Sequence, residues 1–209
     1  MKIEFQEKGH IYTVDGKQRS SITQVIQDVC PQEFHCTDEE LEVAANLGKA
    51  VHKITEVNDK GELEGYEYEK DVLDPYLFQW EEFKSLYLPA CKAKGVGFLV
   101  VDIKTKQKIE YQDQMQIAWY HDYVKWGLIS ESFKILRKPW IEEKVFDMRS
   151  NICGTIDRVF PINPMMRNVE AIALLLAPNG FKPIRIETSY WLARLNPVIK
   201  VYHIKRGEM

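Results

Sequence analysis

An acid and a lysine stand two positions apart at the end of an apolar run, in the sequence FLVVDIKT of residues 98–105. Side chains two apart in a strand point to the same side, so Asp102 and Lys104 are expected on one face of a strand over 98–104. Burial of either charge alone would be costly, and the pair must therefore face solvent, satisfy each other, or bind a metal or substrate. These residues alone leave the three alternatives open.

A predicted hairpin carries two further acids. Residues 140–148 and 152–160 are rich in β-forming residues, and a polar turn at 149–151 joins them. Glu143 lies on the first arm, and Asp157 lies on the second arm among apolar residues. Acids gathered on neighbouring strands repel one another, so a cation is needed to hold them together. Oxygen ligands favour a hard divalent ion, Mg²⁺ or Mn²⁺.

A histidine on a predicted helix could complete that metal shell. Thr37 and Glu40 have the capping-box spacing, and they open a helix through about Asn58. His52 lies on this helix, on the same side as Gly48, which precedes it by four residues. A histidine in a helix is often simply packed, so His52 alone does not define a ligand.

A second helix, predicted from Gln112 to about Lys125, carries Gln116 and Tyr120 four residues apart on one face. Apolar residues of the same helix, such as Met115, are typical of packing on a sheet. Core packing does not explain the glutamine on this stripe. We therefore treat Gln116 and Tyr120 as candidate site residues.

The pattern as a whole predicts one α/β domain over 1–209, with a mixed central β-sheet flanked by helices. Its expected parts are an N-terminal hairpin and helix over 1–30, a core over 37–178 and a C-terminal extension over 179–209.

Four finer features complete the prediction. Ser21 caps the first helix, and Asp74-Pro75 opens the third. Residues 169–177 form a buried strand. The tail contains extended pieces at 184–187 and 198–204, with a helical turn near Trp191.

Composition excludes several classes of protein. With 209 residues, 45% of them hydrophobic, the chain can bury a sizeable core, and a net charge of −3 argues against a globally basic nucleic-acid coat. The four cysteines contain no C-x-x-C pair, which argues against a zinc ribbon, and reduced thiols are expected. No signal-peptide pattern or membrane-length apolar run occurs in the sequence. We therefore expect a soluble cytoplasmic protein without a membrane partner.

Together these residues resemble the PD-(D/E)XK nuclease superfamily, in particular its RecB-like and phage-exonuclease branch. Residues 48–52 and 154–157 are similar to the G-x-x-x-H helix and the G-x-x-D strand of that branch. Residues 102–105 and 116–120 are similar to its D-x-K-T strand and Q-x-x-x-Y helix. The resemblance covers about residues 10–178 and implies a restriction-endonuclease-like core.

The resemblance implies a role for each matching residue. His52, Asp102, Asp157 and the carbonyl of Ile103 would ligate Mg²⁺, for which Mn²⁺ can substitute. Lys104 would position or activate the attacking water, Gln116 and Tyr120 would brace the site or touch the DNA, and Glu143 matches the acid of the preceding strand. The implied reaction is hydrolysis of DNA that leaves a 5′-phosphate.

The motif order is transposed relative to that family. The hairpin with G-x-x-D precedes the D-x-K strand in the family, whereas Asp102 and Tyr120 precede Glu143 and Asp157 here. A sheet is defined by which strands are neighbours in space, so a permuted strand order could rebuild the site. Alternatively, a second subunit donates the hairpin in a homo-oligomer, or the chain does not close the family's site.

The expected function is that of a phage or mobile-element exonuclease acting in DNA recombination, repair or processing. One alternative is a non-catalytic DNA-binding or assembly protein that retains the fold, and another is a metal hydrolase of small phosphate esters. DNA contacts are expected from scattered cations, each of which could equally be a solvated surface charge: Lys49, Lys53, Lys134, Arg137 and Lys138.

Overall fold

The computed structural model describes residues 1–31, 37–130 and 138–208. Within these ranges the chain forms five helices, a five-stranded mixed sheet and a small three-stranded antiparallel sheet. In chain order the elements are β1 (Ile3–Gln6), β2 (Ile11–Val14), β3 (Lys17–Arg19), α1 (Ile22–Val29), α2 (Asp38–Asp59), α3 (Lys70–Ala93), β4 (Phe98–Lys104), α4 (Tyr111–Ile129), β5 (Trp140–Asp147), β6 (Ile152–Pro161), β7 (Val169–Ala177), β8 (Gly180–Arg185) and α5 (Thr188–Lys205). The predicted fold class, an α/β protein with a mixed central sheet flanked by helices, is confirmed.

Strand β4 lies at the centre of the main sheet, whose order is β5-β6-β4-β7-β8. Strand β6 runs antiparallel to β4, and β7 runs parallel to β4 on its other side. The hairpin β5–β6 therefore lies beside β4 within one chain, although it follows β4 and α4 in the sequence. The transposed chain order is thus compatible with neighbouring strands in space.

Both faces of β4 are covered, which explains its continuous apolar run. On one face, Val100 belongs to a core that includes residues of α1, α4 and α5. On the other face, Leu99, Val101 and Ile103 belong to a core that includes residues of α2 and α3. Asp102 and Lys104 share the parity of Val100, so they point to the side of the sheet that α4 covers.

The small sheet packs against the hairpin β5–β6. Tyr12 and Val14 of β2 are buried against Phe146 and Cys153 of that hairpin. The Tyr12 hydroxyl also forms a hydrogen bond of 2.7 Å with Thr155 Oγ1. The N-terminal strands therefore form a wall beside the hairpin.

Two predicted helix starts are confirmed, and a third is different. Ser21 and Thr37 cap α1 and α2, each with a complete capping box. Helix α3 begins at Lys70 instead of at Asp74-Pro75, and Pro75 lies inside it. Leu73 is buried one turn before Leu77, and this burial favours an additional turn in spite of the hydrogen bond that a proline removes.

The predicted extended piece over 198–204 is wrong, because these residues belong to α5. Leu195 and Tyr202 are buried, and Leu192 and Ile199 pack beside them at the spacing of one helix face. Strand β8 pairs with β7, and α5 shares a core with α1 and α4. The predicted C-terminal extension therefore completes the main sheet and one of its cores.

The composition led to expectations about the cysteines and about membrane-spanning segments. Cys30, Cys91 and Cys153 are free thiols, and Cys36 lies outside the described residues. None of the helices in the described ranges has both the length and the apolar character needed to cross a lipid bilayer.

Candidate metal centre

The site forms where β4 and β6 separate. Their antiparallel ladder ends at the pair Val101–Arg158, and the same register sets the next residues, Asp102 and Asp157, opposite each other. Instead of continuing the ladder, the Asp157 carboxylate accepts a hydrogen bond of 2.7 Å from the backbone N–H of Ile103. A side chain thus satisfies the backbone donor, and two acids meet at the end of the strand.

A histidine and two acids converge at this strand end, and we refer to His52, Glu142 and Asp157 as the metal group. His52 Nδ1 lies 3.5 Å from Asp157 Oδ2 and 3.6 Å from Glu142 Oε1. One potential ligand atom from each residue lies within 4.8 Å of the others. The three residues come from α2, β5 and β6, so the fold gathers them from distant parts of the sequence.

A backbone carbonyl sets the orientation of the His52 ring. Nε2–H donates to the carbonyl of Ile103 at 2.9 Å, so Nδ1 faces the two carboxylates. Metal-binding histidines typically donate the second ring N–H to a carbonyl or carboxylate in this way. The Ile103 carbonyl, which the resemblance implies as a ligand, is engaged with His52 in this structure.

The hairpin contributes Glu142 to the metal group, in place of the predicted Glu143. The pairs Ile141–Arg158 and Glu143–Ile156 set Glu142 opposite Asp157, whereas Glu143 is exposed. The turn explains the difference, because β5 ends at Asp147 and four residues, 148–151, connect the strands. The predicted turn of three residues would shift the pairing by one and set Glu143 opposite Asp157.

Glu142 has an unusual backbone conformation. Its φ is +51°, in the left-handed region that residues other than glycine rarely adopt. Such residues cost about 1–3 kcal/mol and persist where surrounding contacts impose them. Here the guanidinium of Arg158 donates from Nη1 to Glu142 Oε1 at 3.0 Å. Backbone strain at a member of the metal group is consistent with a functional role.

Asp102, Lys104, Gln116 and Tyr120 form a second cluster, the lysine group. Lys104 Nζ lies 2.7 Å from Asp102 Oδ2, as an ion pair without hydrogen-bond alignment, and donates to Gln116 Oε1 at 3.3 Å. The Gln116 amide donates to the Tyr120 hydroxyl at 2.9 Å. Asp102 is only 1% exposed, so the two opposite charges at the end of β4 satisfy each other inside the protein.

The surroundings of these groups change how they titrate. Burial opposes a charge on His52, but the carboxylates of Asp157 and Glu142 outweigh burial and raise the pKa of His52 to about 9. Burial raises the pKa of Asp102 to about 6, against the opposing charge of Lys104. Burial also raises the pKa of Asp157. At pH 7 a protonated imidazole therefore lies between the two acids of the metal group.

The metal group fits a divalent cation. An imidazole nitrogen and two carboxylates are a common ligand set for such ions, and the His52 ring already has the required orientation. The proton on His52 supplies one positive charge between the two carboxylates. A bound divalent ion would supply a larger positive charge at the same place. The chain can therefore hold a metal ion here, and the choice of Mg²⁺ or Mn²⁺ stays a prediction.

Two motif glycines permit close packing around the site. A Cβ atom on Gly154 would lie 2.8 Å from a ring carbon of Tyr120, so Gly154 makes room for the ring whose hydroxyl contacts Gln116. A Cβ atom on Gly48 would lie 3.2 Å from Thr105 Oγ1, so Gly48 lets α2 approach the end of β4. That approach brings His52 to the site.

A cleft of about 650 Å³ opens over the metal group. Two of the cations predicted to contact DNA, Lys49 and Lys53, line this cleft together with Lys144. Lys138 is exposed, and Lys134 and Arg137 lie outside the described residues. Part of the predicted basic surface therefore borders the metal group.

Sequence reasoning missed two further residues near the site, Arg158 and Asp59. Arg158 is fully buried, and its Nε lies 2.6 Å from Asp59 Oδ2. A signal for Arg158 was present, because this arginine interrupts an apolar strand in which an unpaired charge would be costly. Asp59 ends an ordinary amphipathic helix and carried no comparable signal.

Comparisons of this chain with protein families, with curated proteins and with solved structures found no match. What the chain does is therefore inferred from its own residues.

Proposed function

We propose that this protein is a metal-dependent DNA nuclease that hydrolyses phosphodiester bonds. The observation that carries the proposal is the convergence of His52, Glu142 and Asp157 beside the Asp102–Lys104 pair within one chain. Such a ligand set alone is common, but a partly buried lysine beside it adds positive charge where a phosphoryl group would develop negative charge. The resemblance of the sequence motifs to PD-(D/E)XK nucleases supports the same reaction.

In this proposal the metal group holds one divalent ion, Mg²⁺, with Mn²⁺ as a substitute. When bound, such an ion stabilises charge on phosphoryl oxygens and lowers the pKa of a coordinated water. His52 would bind the ion through Nδ1 while its Nε2–H stays on the Ile103 carbonyl, and Glu142 and Asp157 would bind it through carboxylate oxygens. The resemblance implies that Asp102 is also a ligand. Its carboxylate lies at the same strand end as the metal group.

Lys104 acts as a fixed cation and does not act as a base. Burial opposes its charge, but the carboxylates of Asp102 and Asp157 outweigh burial and hold the pKa of Lys104 above its usual range. The ammonium is also fixed in position by Asp102 and Gln116. It therefore stays protonated at working pH, where it orients the attacking water or stabilises the charge of the transition state.

DNA is the proposed substrate because the cleft over the metal group is bordered by lysines. Lys49 of α2 is exposed there and suits contacts with phosphates, and Lys53, also exposed, is paired with Glu56 at 3.2 Å. Such contacts release counterions, so binding should weaken as the salt concentration rises. The specific form of the proposal is a phage-type exonuclease in recombination, repair or processing.

Cleavage of end-labelled linear DNA, single-stranded and duplex, tests the proposal. We expect loss of label with Mg²⁺, none with a chelator, and none with the Asp157→Asn variant. Asp147→Asn is the matched control, because Asp147 is a buried acid of the same hairpin that pairs with Arg149. This control should retain cleavage.

Each other outcome has a distinct meaning. DNA binding without cleavage in Mg²⁺ and Mn²⁺ would favour the non-catalytic DNA-binding or assembly protein. Cleavage of a small phosphate ester without action on DNA would favour a metal hydrolase of another kind. Cleavage that persists in a chelator, or in Asp157→Asn, would contradict the proposed mechanism.

A further inference from the structure

Arg158 is a charged residue that the proposed chemistry does not use, although it adjoins the metal group. It follows Asp157 in β6 and is 0% exposed, on the side of the sheet that α2 and α3 cover. Its guanidinium lies 5.6 Å from the centre of the Trp80 ring. A fully buried arginine is rare and requires partners for its charge and its N–H groups.

The guanidinium connects three elements through four acceptors. Nε donates to Asp59 Oδ2 at 2.6 Å, and Nη2 donates to Thr55 Oγ1 at 3.2 Å, both on α2. Nη1 donates to Glu142 Oε1 at 3.0 Å on β5 and to the Asp157 carbonyl at 2.7 Å on β6. Arg158 therefore ties the hairpin to the helix that carries His52.

The charge of Arg158 is shared between Asp59 and Glu142. Asp59 has two further donors, Trp80 Nε1 at 3.0 Å and Lys84 Nζ at 2.7 Å. Lys84 thus supplies part of the positive charge that Asp59 requires. The Glu142 oxygen that contacts Arg158 is the same oxygen that lies 3.6 Å from His52 Nδ1. The contact with Arg158 therefore helps to fix the position of the Glu142 carboxylate relative to the other ligand atoms.

We propose that Arg158 is a positioning residue of the metal group, which holds Glu142 beside His52 and Asp157. Glu142 has a strained backbone and a side chain that borders the cleft, so its carboxylate needs an external partner to stay in place. Arginine suits this role because its planar fork bonds several acceptors in fixed directions, which a lysine cannot do. The inference rests on the proposed metal site and does not depend on DNA being the substrate.

Titration of Mn²⁺ into the folded protein by calorimetry tests this role. Arg158→Lys keeps the positive charge but loses the fork, and we expect it to weaken Mn²⁺ binding about 10- to 100-fold, as is typical for partners of metal ligands. Arg149→Lys is the matched control, since Arg149 forms a fork with Asp147 on the same hairpin, with bonds of 2.9 and 3.0 Å. This control should bind Mn²⁺ as the wild type does.

A double-mutant comparison separates positioning from a general loss of structure. If Arg158 acts through Glu142, then Arg158→Lys has no further effect on Mn²⁺ affinity when Glu142→Gln is already present. Equal losses of Mn²⁺ affinity in the wild-type and the Glu142→Gln protein would overturn the inference. If Arg158→Lys does not fold, Asp59→Asn replaces it. We expect weaker Mn²⁺ binding, because the Arg158 guanidinium then loses the charged partner that fixes it beside Glu142, and unchanged binding would overturn the inference.

Failure of the site and failure of the inference are distinguishable. Wild-type protein that binds no Mn²⁺ would overturn the metal site itself, and with it the role of Arg158. Wild-type protein that binds Mn²⁺ with the same affinity as Arg158→Lys would overturn the role of Arg158 alone.

Discussion

The metal group and the lysine group lie at the same strand end but differ in charge balance. In the lysine group, the buried carboxylate of Asp102 has the ammonium of Lys104 at 2.7 Å, so one acid meets one base. In the metal group, Glu142 and Asp157 share a histidine whose pKa is raised to about 9 by their charges, and the charge of Arg158 beside Glu142 is itself shared with Asp59. The metal group therefore gains from an added cation, and the lysine group is already neutral.

In the proposed mechanism, this difference separates the binding of a metal ion from the reaction that the ion would support. The charges of the metal group predict where the ion binds and how binding depends on pH. The lysine group presents a cation whose position does not depend on that ion, because Asp102 and Gln116 hold it. Variants of the two groups should consequently fail in different assays.

The largest expected effect is the loss of DNA cleavage when Lys104 of the lysine group is replaced. Lys104→Met should reduce DNA cleavage about 10²- to 10³-fold, since removal of one preorganised donor to a developing charge has effects of this size. Its Mn²⁺ affinity should remain within about threefold of the wild type or increase, because a cation near the metal group is removed. Rate measurements in saturating Mg²⁺ and calorimetry with Mn²⁺ give the two numbers.

Lys106→Met is the control for this variant, because Lys106 pairs with Asp113 beyond the end of β4. It should cleave DNA at the wild-type rate. Loss of Mn²⁺ binding in Lys104→Met, in protein that circular dichroism shows to be folded, would contradict the separation of the two groups.

The next effect distinguishes two neighbouring acids on β5. Glu142→Gln should weaken Mn²⁺ binding at least about tenfold, because it removes a charged ligand, whereas Glu143→Gln should leave the affinity unchanged. Glu143 is the matched control, since it is exposed and one residue away. The opposite result would mean that the register of the hairpin differs from the one described.

The smallest expected effect, taken per pH unit, is a graded dependence of Mn²⁺ affinity on pH. A metal ion must displace the proton of His52, whose pKa is raised to about 9 by the acids in spite of burial. Between about pH 6 and 9, Mn²⁺ affinity should therefore rise up to about tenfold per pH unit, with release of about one proton per ion. Calorimetry in buffers of different ionisation enthalpy measures both quantities, and an affinity independent of pH would contradict this account.

In the metal-free protein the effect of pH on stability has the opposite sign. The pKa of His52 is raised from its usual value of 6.5 to about 9 in the fold. Protonated His52 thus stabilises the fold fully below pH 6.5, and this stabilisation is lost as the pH rises through 9. Thermal unfolding with a chelator present measures it.

The sequence predicted those elements whose signals are local. The capping boxes at Ser21 and Thr37, the apolar run of β4 and the strand over 169–177 all depend on residues within one turn or one strand. Helix α5 was missed because Pro197 and polar neighbours obscure the spacing of Leu195 and Tyr202, which only packing against α1 and α4 makes decisive. Tertiary contacts outweighed local preference there.

Residue types and the alternation of side chains in a strand predicted most residues of the site. The register of the hairpin decided which glutamate joins them. Asp102 and Lys104 lie together as the alternation of a strand requires, and His52 reaches the hairpin acid Asp157. The choice between Glu142 and Glu143 depended on one residue in the length of a turn, which composition does not reveal. The contact of Arg158 with Asp59 joins residues 99 positions apart and follows only from the packing of α2 on the sheet.

A crystal structure of the protein soaked with Mn²⁺ tests the central claim most directly. Anomalous scattering should locate one ion bonded to His52 Nδ1 and to carboxylate oxygens of Glu142 and Asp157, with Lys104 still paired to Asp102. An ion bound elsewhere, or the three residues free of metal at saturating Mn²⁺, would contradict the claim that this strand end is a metal centre.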